Sequence, residues 1–404
     1  MADPTRRASG LSPALFFLLL LSGLFPGFLL SGCGEPPGAV LEREERFRLG
    51  LGFLEDELGL FAGDDSLPRQ PNSVVMRDGL VFVGNGSANK IMGFTSYGDL
   101  VRLIYQPRDN PRPVTLAEAG FSEASGTRRA VPFSFENLGR IAVDSRRFLY
   151  AEDRLPRTRA VWDDDLGVYL NRQIFRFDNN GQIVDYLGQE GTGGTPFPFV
   201  HSMNVTRRDE LAVITRTREG FIAFFYSPEG DFLTALEIDR DRLPLPSEDD
   251  GYIPVLNEVV AGVDEPRLYV KISYYRAQKD PAAGKDHGIA LDHARVYWID
   301  LVEGRYEGFV ELPRGNGEEH FELVGAARGE HLFLLSRESS SRIQLVIMND
   351  QGRVLRRRSL EVSEEDMTVR SFHLCYDGVL TALLGYHDEA RVVWWRSDRL
   401  LPQL

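Results

Sequence analysis

Four short stretches of this chain carry residue types that could do chemistry. Trp162-Asp163-Asp164-Asp165 gathers hard oxygen donors of the kind that hold calcium. The run lacks the spacing and the glycine of an EF-hand loop, so a solvated acidic turn is the competing reading. His287 and His293 stand close in sequence, and a metal site there needs a third ligand from elsewhere in the fold. Arg108 and Arg112, with Arg128 and Arg129, could fork onto an anionic ligand or pair with the many carboxylates. The two cysteines, Cys33 and Cys375, are too few for a disulfide framework or a cysteine-based zinc site. Cys375 lies in the apolar run Phe372-His373-Leu374-Cys375-Tyr376 and reads as a buried free thiol. His201, His320, His331, His373 and His387 are scattered near strand ends and read as core or surface residues. No Gly-x-Ser-x-Gly elbow, phosphate-binding Gly-Lys-Ser/Thr loop or His-Glu-x-x-His helix occurs.

Cys33 has a context of its own. Arg6 and Arg7 precede an apolar stretch from Leu11 to Leu30, interrupted by Gly23, Pro26 and Gly27. A stable membrane helix avoids that punctuation, whereas the apolar region of a signal peptide tolerates it. Leu30-Ser31-Gly32-Cys33 follows. It resembles the lipobox of bacterial lipoproteins, in which the cysteine thiol carries a diacylglycerol thioether and the new N-terminus is acylated as well. The resemblance implies cleavage before Cys33 and a stable anchor, because more than one acyl chain is needed to hold a protein on a bilayer. Gly34-Glu35-Pro36-Pro37-Gly38 then reads as a flexible tether, and Leu41–Arg46 as more tether or a short charged helix.

From about Asn72 onward the apolar runs are short, β-branched and aromatic, with Gly, Asp and Asn between them. No long stretch keeps a 3.6-residue apolar period, so the body is read as all-β. A unit recurs: apolar strand, polar turn with Gly, apolar strand. Ile91-Met92-Gly93-Phe94 leads through Gly98 to Leu100–Ile104, and Ile174–Phe177 leads through Gly181 to Ile183–Tyr186. Similar pairs surround Gly230, Gly304 and Gly352, and Val392-Val393-Trp394-Trp395 begins a sixth. The turn glycines suit tight hairpins that need a positive φ. The intervals 181–230 and 304–352 match one four-stranded blade of roughly 40–50 residues, and the wider intervals match a blade plus an insertion.

Ile141-Ala142-Val143-Asp144, Phe148–Asp153 and Ile174–Gly181 resemble an NHL-type blade, and Gly188–Phe197 is similar to the glycine-rich connector between such blades. In that family the carboxylates at Asp144 and Asp178 cap turns. With the lipobox, the chain resembles the six-bladed TolB-like propeller lipoproteins of spirochaetes. The expectation is an all-β, six-bladed β-propeller of four-stranded antiparallel blades over 46–404, after a signal peptide at 1–32 and a lipidated tether at 33–45. The last unit supplies only a weak fourth strand at Arg399–Leu401, so Arg46–Leu51 is expected to close the ring.

In a meander blade with strands a to d, the b–c loop and the d–a connector leave on one face. The extra sequence falls there: Gln106–Ala130, Arg154–Asn171, Arg240–Gly251 and Arg276–His293. Insertions on one face commonly build the binding site of a repeat protein. The expected binding residues are therefore Arg108, Arg112, Trp162, Asp163, Asp165, His287 and His293.

The net charge of -14 argues against nucleic acid as a partner, since phosphate contacts need a basic face. Lysine is confined to Lys90, Lys271, Lys279 and Lys285, while arginine is abundant. The expected function is a non-catalytic interaction module of the cell envelope, held to a membrane by lipid, on its periplasmic face or outer surface. Its partner would be another envelope protein or a glycan, and no cofactor is expected. The alternative is a calcium-dependent lactonase- or lyase-like hydrolase with ligands converging from several blades.

Overall fold

The computed structural model describes residues 39–60, 72–118, 128–246, 251–279, 286–314, 320–362 and 367–402. Six antiparallel sheets account for most of them, five built from strands consecutive in the chain. The first blade is Ser73–Arg77, Leu80–Asn85, Lys90–Thr95 and Leu100–Tyr105. The second is Leu138–Val143, Leu149–Arg154, Arg172–Phe177 and Ile183–Gly188. The third is Phe199–Val205, Leu211–Arg216, Gly220–Tyr226 and Phe232–Asp239. The fourth is Ile253–Ala261, Arg267–Lys279, Asp286–Asp300 and Tyr306–Glu311. The fifth is Phe321–Ala327, His331–Ser339, Arg342–Met348 and Val354–Glu361. The sixth takes Val369–Leu374, Leu380–Gly385 and Glu389–Trp395 from the chain's end, and Arg43–Gly50 from its beginning.

The first strands of consecutive blades touch one another, and that of the sixth touches that of the first. The sheets therefore form a closed ring, a six-bladed β-propeller. Between neighbouring blades lies an apolar wedge. Phe47, Val392, Val81 and Phe94 fill the one between blades six and one, and Ala212, Phe225, Val270 and Tyr297 the one between blades three and four. Each middle strand is buried on both faces, which is why Leu211-Ala212-Val213-Ile214 is apolar throughout rather than alternating. Outer strands have solvent on one side, and Phe232–Asp239 shows that exposure.

The turn glycines behave as their positions require: Gly98, Gly181, Gly230, Gly304 and Gly352 all have φ between 64° and 95°. Asp144 and Asp178 cap their turns, accepting from Phe148 N at 2.8 Å and from Asn180 N and Gln182 N at 2.8 Å.

Ring closure is more extensive than the sequence suggests. Arg43–Gly50 runs antiparallel to Glu389–Trp395, with Phe47 opposite Val392. Val40–Leu41 pairs in parallel with Ser359 and Leu360 on the outer edge of blade five. The stretch expected as tether or charged helix is therefore strand. The physical reason lies in its period: Phe47 and Leu49 are buried while Arg48 and Gly50 are exposed, and the charges before them suit an outer strand. Arg399–Leu401 adds no fourth strand, since Ser397–Leu400 is a 3₁₀ turn. Cys33 and the segment before it lie outside the described residues.

Phe47 carries much of this joint. Its ring sits 5.1 Å from that of Phe94. Phe47→Ala is expected to cost about 3–5 kcal/mol in denaturant unfolding. Arg48→Ala, which removes exposed ion pairs to Glu45 and Glu389, should leave the denaturant midpoint nearly unchanged in the same measurement.

Candidate functional site

The two faces of the ring are built differently. On the face of the a–b turns, carboxylates clasp one blade to the next. Glu330, at φ 54°, accepts from the backbone N–H groups of Val263, Asp264 and Glu265 at 3.0, 2.7 and 3.0 Å. Asp209, at φ 60°, does the same for Ser145 at 2.9 Å. Asp264 accepts in turn from Gly329 N at 2.6 Å. Two further contacts skip a blade and so run as chords across this end of the ring. They join Arg77 to Asp209 at 3.7 Å and the Tyr376 hydroxyl to Asp264 at 3.1 Å.

The opposite face carries the long connections. Gln106–Ala130 is no simple loop, since Ala117–Glu118 and Arg129–Pro132 add parallel strands to the outer edge of blade one. Arg154–Asn171 contains a separate hairpin, Val161–Asp163 paired with Val168–Leu170. Trp162 and Tyr169 face each other across it, edge to face at 5.0 Å, and both are exposed. Arg276–His293 is a correction to the loop reading. Strands b and c of blade four simply continue, to 13 and 15 residues, as a projecting two-stranded arm.

The expected binding residues divide accordingly. Arg108 is exposed and lies 3.2 Å from the neighbouring Asp109. Arg112 is also exposed, on the same connector. Trp162 and Asp165 are exposed at the hairpin, whereas Asp163 spends a carboxylate oxygen on Leu166 N at 2.9 Å to form the turn. His287 is in the arm, and its side chain lies outside the described residues. His293 is not on a loop surface at all. It is buried at the arm's base, stacked on Tyr274 at 4.9 Å with Nδ1 2.6 Å from Asp292 Oδ2. Its position opposite Tyr274 in the ladder puts the ring under the arm rather than in solvent. Among the described residues no three His, Cys, Asp or Glu side chains come together as a metal site. Cys375 is buried, and desolvation pushes its thiol pKa well above the ordinary value.

The residues that line the central channel are not among those expected from the sequence. The six inner strands line a space of about 500 Å³ along the ring axis. Each inner strand has an edge with no neighbour, so its N–H and C=O groups require partners from solvent or a ligand. Arg140 of blade two, His201 and Ser202 of blade three and Asn257 and Glu258 of blade four line this space. Glu322 of blade five, Arg370 of blade six and Ser73 of blade one line it as well. The channel continues outward between blades four and five as a groove of about 440 Å³, which shares Asn257, Glu258, Glu322 and Arg370 with it. A recess lined by Asp292, His293 and Arg314 adjoins the groove at Lys271 and Ser273.

The wall of this groove carries a half-buried ion pair. Lys271 Nζ lies 2.9 Å from Glu258 Oε2, and Ser273 Oγ donates to Asn257 Oδ1 at 2.6 Å. Burial raises the Glu258 pKa and Lys271 opposes the shift. Rarity was the signal available for Lys271. Of four lysines, Lys90 and Lys271 are in strands and buried, and a buried amine is seldom placed without a partner.

Among solved structures the chain is similar to the RRP9 WD40 repeats, at 12% identity and TM-score 0.40, covering 88% of this chain and 99% of that one. It is also similar to a streptogramin B lyase, at 11% identity and TM-score 0.37, covering 86% and 96%. The WD40 propeller domain of Doa1 matches at 10% identity and TM-score 0.38, covering 90% and 100%. No family model and no curated protein matches the chain.

Two channel histidines make the fold pH-sensitive. Desolvation, aided by Arg140 and Arg216, lowers the His201 pKa to about 4. Desolvation, aided by Arg77, lowers that of His373 to about 4. Both are then neutral in the fold but take protons below 6.5 when unfolded, so they favour folding above 6.5 and that contribution is lost as pH falls to about 4. The melting temperature of His373→Asn is expected to fall less than that of the parent across this window. Equal falls would remove His373 from the account.

Proposed function

We propose that this propeller is a lipid-anchored envelope protein that binds a macromolecular partner through its looped face and performs no chemistry itself. The observation that carries the reading is the asymmetry of the two faces. Turns on one face are spent clasping blades together. The connections on the other are long, and they present the Trp162–Tyr169 pair and the arm of blade four with Ile289 exposed. Exposed aromatics on a short rigid hairpin offer large contact area at low entropic cost. The partner class is another envelope protein or a glycan.

The anchor rests on the lipobox-like Leu30-Ser31-Gly32-Cys33. The likeness to propeller lipoproteins rests on the blade around Ile141–Gly181 and on the six-bladed ring. The described chain begins beside the b–c turn of blade five, where Val40, Glu42 and Arg43 meet Ser341 and Arg342.

Two experiments test this. Cys33→Ala should move the protein from the membrane to the soluble fraction and abolish incorporation of labelled palmitate; unchanged fractionation would sink the anchor. Cross-linking in intact cells should yield a partner that is lost from Trp162→Ala/Tyr169→Ala and from a chain whose arm is cut back to a two-residue turn. A partner retained by both would refute the looped face as its site.

A further inference from the structure

Three side chains suited to a soft metal meet where the inner strand of blade six faces that of blade one. Thr381 Oγ1 marks the place. It lies 3.6 Å from Met76 Sδ and 3.8 Å from Cys375 Sγ. The Cys375 thiol also points at the Met76 carbonyl, at 3.6 Å. His373 stands opposite Thr381 in the ladder of blade six, so its side chain leaves the sheet on the same face. The contact with Thr381 puts Cys375 on that face as well. The Met76 backbone is a hydrogen-bond partner of His373 too. A thiol, a thioether and an imidazole thus gather around one methionine and one threonine.

These residue types select a metal. Cysteine and methionine sulfur, with imidazole, suit a soft cation such as Cu(I) rather than a hard one. The surroundings narrow the choice further. Met76, Cys375 and Thr381 are buried, and the first two belong to the apolar wedge between blades six and one. Desolvation pushes the Cys375 thiol well above its ordinary pKa, so a bare thiolate is disfavoured there. A thiolate holding a monovalent cation is a neutral unit, and the desolvation that opposes the bare anion does not oppose it. A divalent cation on the same single thiolate would leave a net positive charge in the apolar wall. The closed four-ligand site of structural zinc is not available, since among the described residues no three His, Cys, Asp or Glu side chains come together.

An ion has a way in. Met76 and His373 line the central channel, and Cys375 is in contact with Met76. Methionine has three rotatable bonds and adapts its thioether to a neighbour. We infer that Cys375 Sγ, Met76 Sδ and the His373 imidazole form a Cu(I)-binding site in the channel wall between blades six and one. On binding, the S–H bond of Cys375 breaks, its proton leaves to solvent through the channel, and the sulfur electron pair goes to copper. Copper stays Cu(I), so no oxidant or reductant is consumed. The site involves neither the lipid anchor nor the looped face.

Anaerobic titration of the full-length chain carrying Cys33→Ala, which leaves Cys375 as its one thiol, tests it. Cu(I) is supplied as its bicinchoninate complex. The protein should withdraw one equivalent, X-ray absorption of the bound ion should show two sulfur neighbours and one nitrogen, and excess Zn(II) should not displace it. Cys375→Ser should abolish uptake. Met76→Leu keeps the side-chain volume and removes the thioether, so it should weaken uptake at least about tenfold at a nearly unchanged melting temperature. His373→Asn should weaken uptake and remove the nitrogen from the absorption spectrum. The inference is overturned if the parent withdraws no copper, if Cys375→Ser withdraws as much, or if Zn(II) displaces the ion. It is equally overturned if Met76→Leu or His373→Asn binds as tightly as the parent, which would make the thiol an adventitious ligand.

Discussion

The antiparallel pairing of Arg43–Gly50 with Glu389–Trp395 is the interaction on which the rest of the structure depends. Every blade is apolar on both faces, so every blade needs two neighbours, and the first and last find each other only through this joint. Bringing the two ends of so long a chain together costs on the order of 5 kcal/mol of chain entropy. Burying Phe47 and Leu49 in the wedge returns about 3–6 kcal/mol, and the ladder hydrogen bonds add to that. Val40–Leu41 then carries the same strand on to blade five. One short stretch of chain thus staples two blades, and the remaining wedges are held shut because the ring is closed.

Closure also fixes what each face of the ring is free to do. The a–b turns approach one another, and their spacing lets Asp209 and Glu330 reach backbone N–H groups of the preceding blade. Those turns cannot lengthen without losing the clasp. The b–c and d–a connections are under no such constraint, and there the chain has inserted a hairpin, two parallel strands and a projecting arm. The arm grows by extending a ladder that already exists, so each added residue pair brings its own hydrogen bonds. His293 is drawn under that arm because Tyr274 offers its ring a flat apolar partner.

The channel follows from the same geometry. Six inner edges without neighbours must be solvated or liganded, so the axis is polar however apolar the wedges are. Which charged groups line it is a matter of which strand residues the ring turns inward. Arg140, Arg370 and Lys271 are far apart in sequence and have no shared motif, yet they border one continuous space.

By itself the sequence determined the all-β class and the repeat, because hairpin glycines and short apolar strands are local signals set by backbone sterics; it favoured six blades over five or seven, and the closed ring of six sheets decided the count. It also pointed to Arg46–Leu51 as the segment that closes the ring, where the strand is Arg43–Gly50, and to which connections are long. It did not determine that Leu41–Arg46 is strand, since alternating charge there suits tether, helix or outer strand until a partner edge is supplied. Nor did it determine that Arg276–His293 is an arm or that His293 is buried, because those depend on the ladder continuing past the base of a blade. The channel and its ion pair were decided by tertiary structure alone. Residues from six blades converge only when the ring closes, and no spacing along the chain records that convergence.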